Sequence, residues 1–284
     1  LHPSSDDGLP PAIQAQIAAM PISHMSLAEI AQDVVSARRA IQQEKQARVA
    51  SNATATQADM AMAPAPAMAT GATVANAQQD KDPARRAYRQ KLTEYGREAM
   101  TRSLLRDIYS KNQLKEQLTW FWFNHFNVSA RKGTIAAMVG DYEETAIRPH
   151  VLGKFRDLLT ATAFHPAMLQ YLDNQQNAVG HLNENFAREI MELHTMGVGS
   201  GYTQKDVQEL ARILTGFGLN FTAEARPRAW LQAMQNGDDS VAFNPRRHDF
   251  GDKLFLGHVI KGTGADEAAQ ALLILSRQPA TAHF

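Results

Sequence analysis

Apolar residues recur at helical spacing over most of this chain, and strand-like alternation is confined to one late stretch. Tyr88, Leu92, Tyr95, Ala99, Leu104 and Ile108 lie on one helical stripe. They predict a helix from Asp82, an N-cap followed by proline at the first helical position, through Tyr109. Asn112 can cap the next helix, which carries Leu114, Leu118 and the run Trp120-Phe121-Trp122-Phe123-Asn124-His125-Phe126. A helix apolar all round is expected to be buried. Further helices are predicted from Thr134 to Ile147, ended by Pro149, from Phe155 to Phe164, and briefly after His165-Pro166. Asn183 is a good N-cap for a helix over 184–196, and Gly197 can take the left-handed conformation that closes it. Thr203 and Asp206 resemble a capping box. They open a helix with Val207, Leu210, Ala211, Leu214 and Phe217 on one face. Val241–Phe243 and Lys253–Leu256 read as short strands of a small hairpin, and helix returns over 265–277. The predicted fold is mainly α, a multi-helix bundle-like domain with orthogonally packed helices and a small β-hairpin near the C-terminal third.

Residues 1–49 read as an N-terminal helical piece, with its helix at about 26–48. Residues 50–81 are rich in alanine, methionine, threonine and proline, and Pro64 and Pro66 interrupt any helix. With few large apolar side chains this stretch reads as a low-complexity insertion or linker. Met60, Met62 and Met68 are filler on that reading rather than a metal-binding methionine motif. Residues 82–284 form the main helical domain. The chain starts at Leu1 with no visible signal peptide and stops just after Pro279, where a new helix could begin. Both ends therefore read as cut.

Composition narrows the function classes. The 284 residues are 44% hydrophobic, enough for a real core. Lysine plus arginine and aspartate plus glutamate number 29 each, which argues against a general nucleic-acid or anionic-membrane binder. The absence of cysteine excludes disulfides, thiolate chemistry and cysteine-based metal sites. No apolar run is long enough to span a membrane. A phosphate loop, a dinucleotide fingerprint, the zinc-protease His-Glu-x-x-His and a Gly-x-Ser-x-Gly elbow are all missing.

Candidate chemistry lies in three places. His125 and Asn124 sit within the aromatic helix, where an unsatisfied buried polar group costs about 1–3 kcal/mol. His125 is either bonded to a backbone carbonyl or carboxylate, or serves as a ligand or base. On the helix 184–196, Glu184, Arg188 and Glu192 form an i, i+4, i+8 stripe. Glu189 neighbours Glu192, whereas His194 faces away from Glu192 by helical rotation. This stripe is either a charge ladder or one wall of a site. His248-Asp249, followed by Gly251, Asp252 and Lys253, could ligate a metal or orient a base. It could equally be an Asx-turn. His165 before Pro166 reads as a helix-start histidine.

Several blocks together resemble a bacterial family catalogued as domain of unknown function 1800. They are Trp122–Phe126, Ile147–His150 with Phe155–Leu159, His165–Asp173, Asn183–Gly197, Gly201–Gln204 with Ala211–Gly216, His248–Gly251 and Pro279–Ala282. The resemblance spans about 115–284 and is far weaker over 1–80. It implies a periplasmic or secreted protein, since members commonly carry export signals, but implies no activity. The leading expectation is a metal-assisted, hydrolase-like enzyme whose divalent metal would be held by His125, Glu189, Glu192, His194, His248 and Asp249. Of these, His125, Glu192, His248 and Asp249 would be catalytic, the metal activating water and a carboxylate acting as base. The alternative is a non-catalytic envelope or secreted protein that binds a partner, with no nucleic acid involved.

Overall fold

The structure, a computed structural model, describes residues 7–59, 82–220 and 240–284. Among the described residues it has eleven α-helices and two small antiparallel hairpins, which makes the fold mainly α. α1 (Pro11–Ala18) precedes α2 (Leu27–Asp59), so residues 50–59 of the expected insertion are helical. The rest of that stretch, with Met60, Met62 and Met68, lies outside the described residues. Leu27 enters the main core, and Ile30 and Val34 pack in a second cluster with Tyr95, Ala99 and Ala137.

α3 (Pro83–Tyr109) starts as predicted, the Asp82 side chain accepting a bond from Arg85 N at 3.2 Å. It crosses α5 (Ile135–Asp141) closely at Gly140, where a Cβ would stand 3.0 Å from the Ala99 Cβ. In chain order α4 (Gln113–His125) comes between these two, and Asn112 precedes it without a side-chain cap bond. The aromatic helix is not buried all round: Trp120 is 62% and Phe121 51% exposed. After α5 the chain continues as a π-helical stretch, Tyr142–Ile147, with Arg148 N donating to Glu143 O five residues back at 2.8 Å. The Tyr142 hydroxyl anchors that stretch by donating to Phe126 O at 2.8 Å.

α6 (Phe155–Ala163) and α7 (Pro166–Tyr171) form much of the core floor. His165 is the expected helix-start residue: its Nδ1 accepts from Ala167 N, and its Nε2 meets Asp141 Oδ2 at 2.8 Å. α8 (Glu184–Glu192) is shorter than predicted, with Gly197 in the left-handed region at φ +83° beyond it. α9 (Gln204–Ile213) carries the predicted capping box in full.

The strands pair differently from the expected hairpin. β1 (Phe217–Leu219) pairs with β2 (Val241–Phe243), and β3 (Lys253–Phe255) pairs with β4 (His258–Ile260). Gly216 at φ +85° ends the helical path, so Phe217 opens a strand instead of extending the α9 face. Leu256 and Gly257, at φ +48° and +78°, make the two-residue turn between β3 and β4, a geometry whose twist matches that of the flanking strands. α10 (Asp266–Ser276) and α11 (Pro279–His283) complete the chain. Phe126, Tyr142, Phe164, Phe186, Phe217 and Phe255 fill one core, each fully buried.

Candidate functional site

The His248-Asp249 loop is a clasp between α9, β3 and α10. His248 is buried, with Nδ1 facing the Thr215 carbonyl oxygen and Nε2 facing Glu267 Oε1, each at 2.9 Å. Lys253, also buried, donates to the other oxygen of Glu267 and to Asp249 O. Gly264 N supplies a third bond to Glu267 at 2.7 Å. Burial pushes the Glu267 carboxyl up, but bonds from His248, Lys253 and Gly264 outweigh it and hold it below its ordinary value. Asp249 accepts a two-pronged contact from Arg212, at 2.8 and 3.0 Å, which lowers its carboxyl to about 2. Gly251 N also donates to Asp249 at 2.9 Å, the Asx-turn arrangement. His248 and Asp249 are thus satisfied by the protein itself, and an incoming ion or substrate would have to displace those bonds.

The helix carrying the glutamates holds a charge ladder. Arg188 reaches Glu184 at 3.5 Å and Glu192 at 3.3 Å. Gln204 donates to Glu184, and the Tyr202 hydroxyl donates to Glu192 at 2.6 Å. Glu189 is raised by burial and by the neighbouring Glu192. His194 lies on the core side of the same segment, 5.2 Å from the Phe126 ring. His125 Nε2 meets the His194 carbonyl oxygen at 3.1 Å, and the two imidazoles are 6.4 Å apart. Burial, with the nearby His125 second, lowers His194 to about 3, so its imidazole is neutral at ordinary pH. Asn124 is exposed and donates to Trp120 O at 2.7 Å, so it needs no buried partner.

His125 and His194 therefore come together, as do Glu189 and Glu192, and His248 and Asp249 share the clasp. His248, Asp249, Glu184 and Glu192 are each held by other side chains of the protein. Among the described residues no three histidine, aspartate or glutamate side chains gather as a metal-ligand set.

Sequence reasoning missed a fourth place. A cleft of about 510 Å³ opens between α3 and α4, in the range of small-molecule sites. Met100, Leu104, Trp120, Phe123, Val128 and Val139 line it, with Gly96 and Ala99 leaving room along α3. Its polar groups include Ser103, Thr119, Asn124 and two acids, Asp107 and Glu143. Both acids are raised above ordinary carboxyl values. Burial is the main cause for each, with Glu116 second for Asp107, while Ser103 and three arginines oppose the rise at Glu143.

Those arginines are engaged elsewhere. Arg148 forks onto Glu116 and reaches Asp7 at 3.2 Å. Arg106 pairs with Glu144, and Arg102 donates to Gly140 O at 2.7 Å. Asp7 also holds Lys115 at 3.0 Å. Asp107 and Glu143 make no direct ion pair among the described residues. Glu143 lies in the π-helical stretch, a local geometry that often marks functional sites. The one sequence signal is the acid pair Glu143-Glu144 within the largely apolar helix predicted over Thr134–Ile147.

Fold and site define a mainly α protein with an apolar, acid-tipped interhelical cleft and a self-satisfied polar clasp. No helix of the described residues is long and apolar enough to cross a membrane. The chain belongs to the family described as "Protein of unknown function (DUF1800)", whose sequence pattern matches residues 8–284. The match takes in α1 and α2, well before the 115–284 span of the motif blocks. No curated protein and no solved structure matches the chain.

Proposed function

We propose that this is an extracytoplasmic bacterial protein that works by binding, without catalysis, and that the α3–α4 cleft is its binding site. The observation that carries the reading is the cleft itself: apolar walls around two acids left out of the neighbouring ion pairs. A large apolar pocket with a few convergent, perturbed polar groups is the form a ligand site takes. The extracytoplasmic part rests on the family resemblance. A neutral fluorescent probe, N-phenyl-1-naphthylamine, tests the binding part. It should bind saturably at one site, and Ser103→Phe, which fills the cleft, should abolish that binding while the protein stays folded. Binding that is unsaturable, or indifferent to Ser103→Phe, defeats the reading. Location is tested by fractionating cells that express the natural precursor, where recovery in the cytoplasm counts against it.

The metal-assisted hydrolase is the second reading, and the paired imidazoles of His125 and His194 are what favour it. Stoichiometric divalent metal in the purified protein, lost in His125→Ala, would put it first.

A further inference from the structure

Resting on the cleft as the binding site, we propose that its ligand class is an amphipathic organic cation: an apolar body carrying a protonated amine. Three observations converge on this chemistry. The cleft's lining residues include two acids and no base. The neighbouring arginines make their direct contacts with Glu116, Glu144, Asp7 and backbone carbonyls. Their charges act on Glu143 from farther off, and among the described residues neither Asp107 nor Glu143 has a cation within ion-pair distance. The third is Trp120, whose exposed indole stands on the lip of the same cleft.

Each feature has a role toward such a ligand. Met100, Leu104 and Phe123 would cover the hydrocarbon, which gains by leaving water. The ammonium would then meet carboxyls that are partly removed from water, where a charge-assisted bond is stronger than at an open surface. The indole face favours a cation over an anion or a neutral head. An anionic head would be repelled by both acids, so the cleft selects by charge as well as by apolar fit.

Three probes with one hydrocarbon tail separate the two contributions: n-octylammonium, n-octanol and n-octanoate, each competing with N-phenyl-1-naphthylamine at pH 7. Octylammonium should displace the dye at about a tenfold lower concentration than octanol, and octanoate should be the weakest. Glu143→Gln and Asp107→Asn should each bring octylammonium toward octanol while leaving octanol unchanged. Circular dichroism monitors folding, and if Glu143→Gln fails to fold, Asp107→Asn decides alone.

Equal displacement by octanol or octanoate overturns the cationic ligand class and leaves the cleft-binding reading intact. So does an octylammonium preference that survives substitution at both acids. A dye that does not enter the cleft at all defeats both.

Discussion

His194 offers the sharpest test of how burial shapes this protein. Its imidazole is enclosed near Phe126 and His125 and titrates at about 3 in the folded state, against about 6.5 in an unfolded chain. The unfolded state therefore binds the extra proton first, and stability rises with pH across this window. The contribution is fully present above about pH 6.5 and is lost as pH falls toward the folded value. Between pH 7 and pH 5 the linkage relation gives a loss of about 2 kcal/mol from this one group. For a chain of this size that corresponds to a fall in Tm of roughly 3–4 °C. Burial lowers His150 as well, so it adds its own pH dependence. The measurement is accordingly a difference: urea unfolding at both pH values for the protein and for His194→Asn. The variant should be less stable at pH 7 but should lose about 2 kcal/mol less on acidification. Equal pH slopes in the two proteins, or an NMR titration of His194 near 6.5, would refute the reasoning.

The clasp and its neighbours yield further expectations. Glu267→Gln leaves the buried Lys253 without its counter-charge and should cost about 3–5 kcal/mol, read by thermal melting; a loss below about 1 kcal/mol would mean the site is hydrated. Asp249, held near 2 by Arg212, contributes stability that is present above about pH 3.9 and lost as pH falls through the folded value. Asp249→Asn should therefore flatten the acid limb of a pH–stability curve between those two values. Gly216→Ala places a Cβ 2.8 Å from Asn244 O at φ +85°, and calorimetry should show a loss of about 2 kcal/mol or more. Arg188→Ala, by contrast, removes only a half-exposed ladder, and denaturant midpoints should report a change within about 1 kcal/mol.

Local rules carried much of the helical fold. The Asp82-Pro83 start and the Thr203–Asp206 box need only a few neighbouring residues and appear where the pattern places them, whereas Gly197 is left-handed but lies beyond a helix that already ends at Glu192. The strands were harder because their partners are distant. Phe217 continues a helical stripe on paper, and only pairing of Leu219 with Val241 reveals it as strand. The aromatic run 120–126 shows the limit of composition. It says that a helix is apolar, but not that Trp120 and Phe121 face outward while Phe126 fills the core.

The candidate site divides in the same way. His248 and Asp249 stood out as candidate chemistry, while Thr215 and Arg212 stood only in a separate motif block, and only their mutual bonds show that the four lock a loop. Asp107 and Glu143 look like ordinary helix-surface acids in the sequence. Their distinction comes from the packing of α3, α4 and the π-helical stretch, which half-buries them and gives Arg106 and Arg148 other carboxylates as direct partners.

The Asp7 contact has a consequence for the order in which the molecule is completed. Its carboxylate meets Arg148 across 141 positions of sequence, while its carbonyl oxygen accepts from Ser110 and Lys111. A growing polypeptide presents Asp7 long before Arg148 exists. At about 5–20 residues per second the wait is roughly 7–28 s. Within that interval Arg106 and Lys115 already offer the leading segment ionic partners, and Arg148 completes the set. Arg148 then arrives on the stretch that also brings Glu143 into the cleft. The latch on the early segment and the acid of the cleft thus appear almost together, so translation speed through this region sets when both become available.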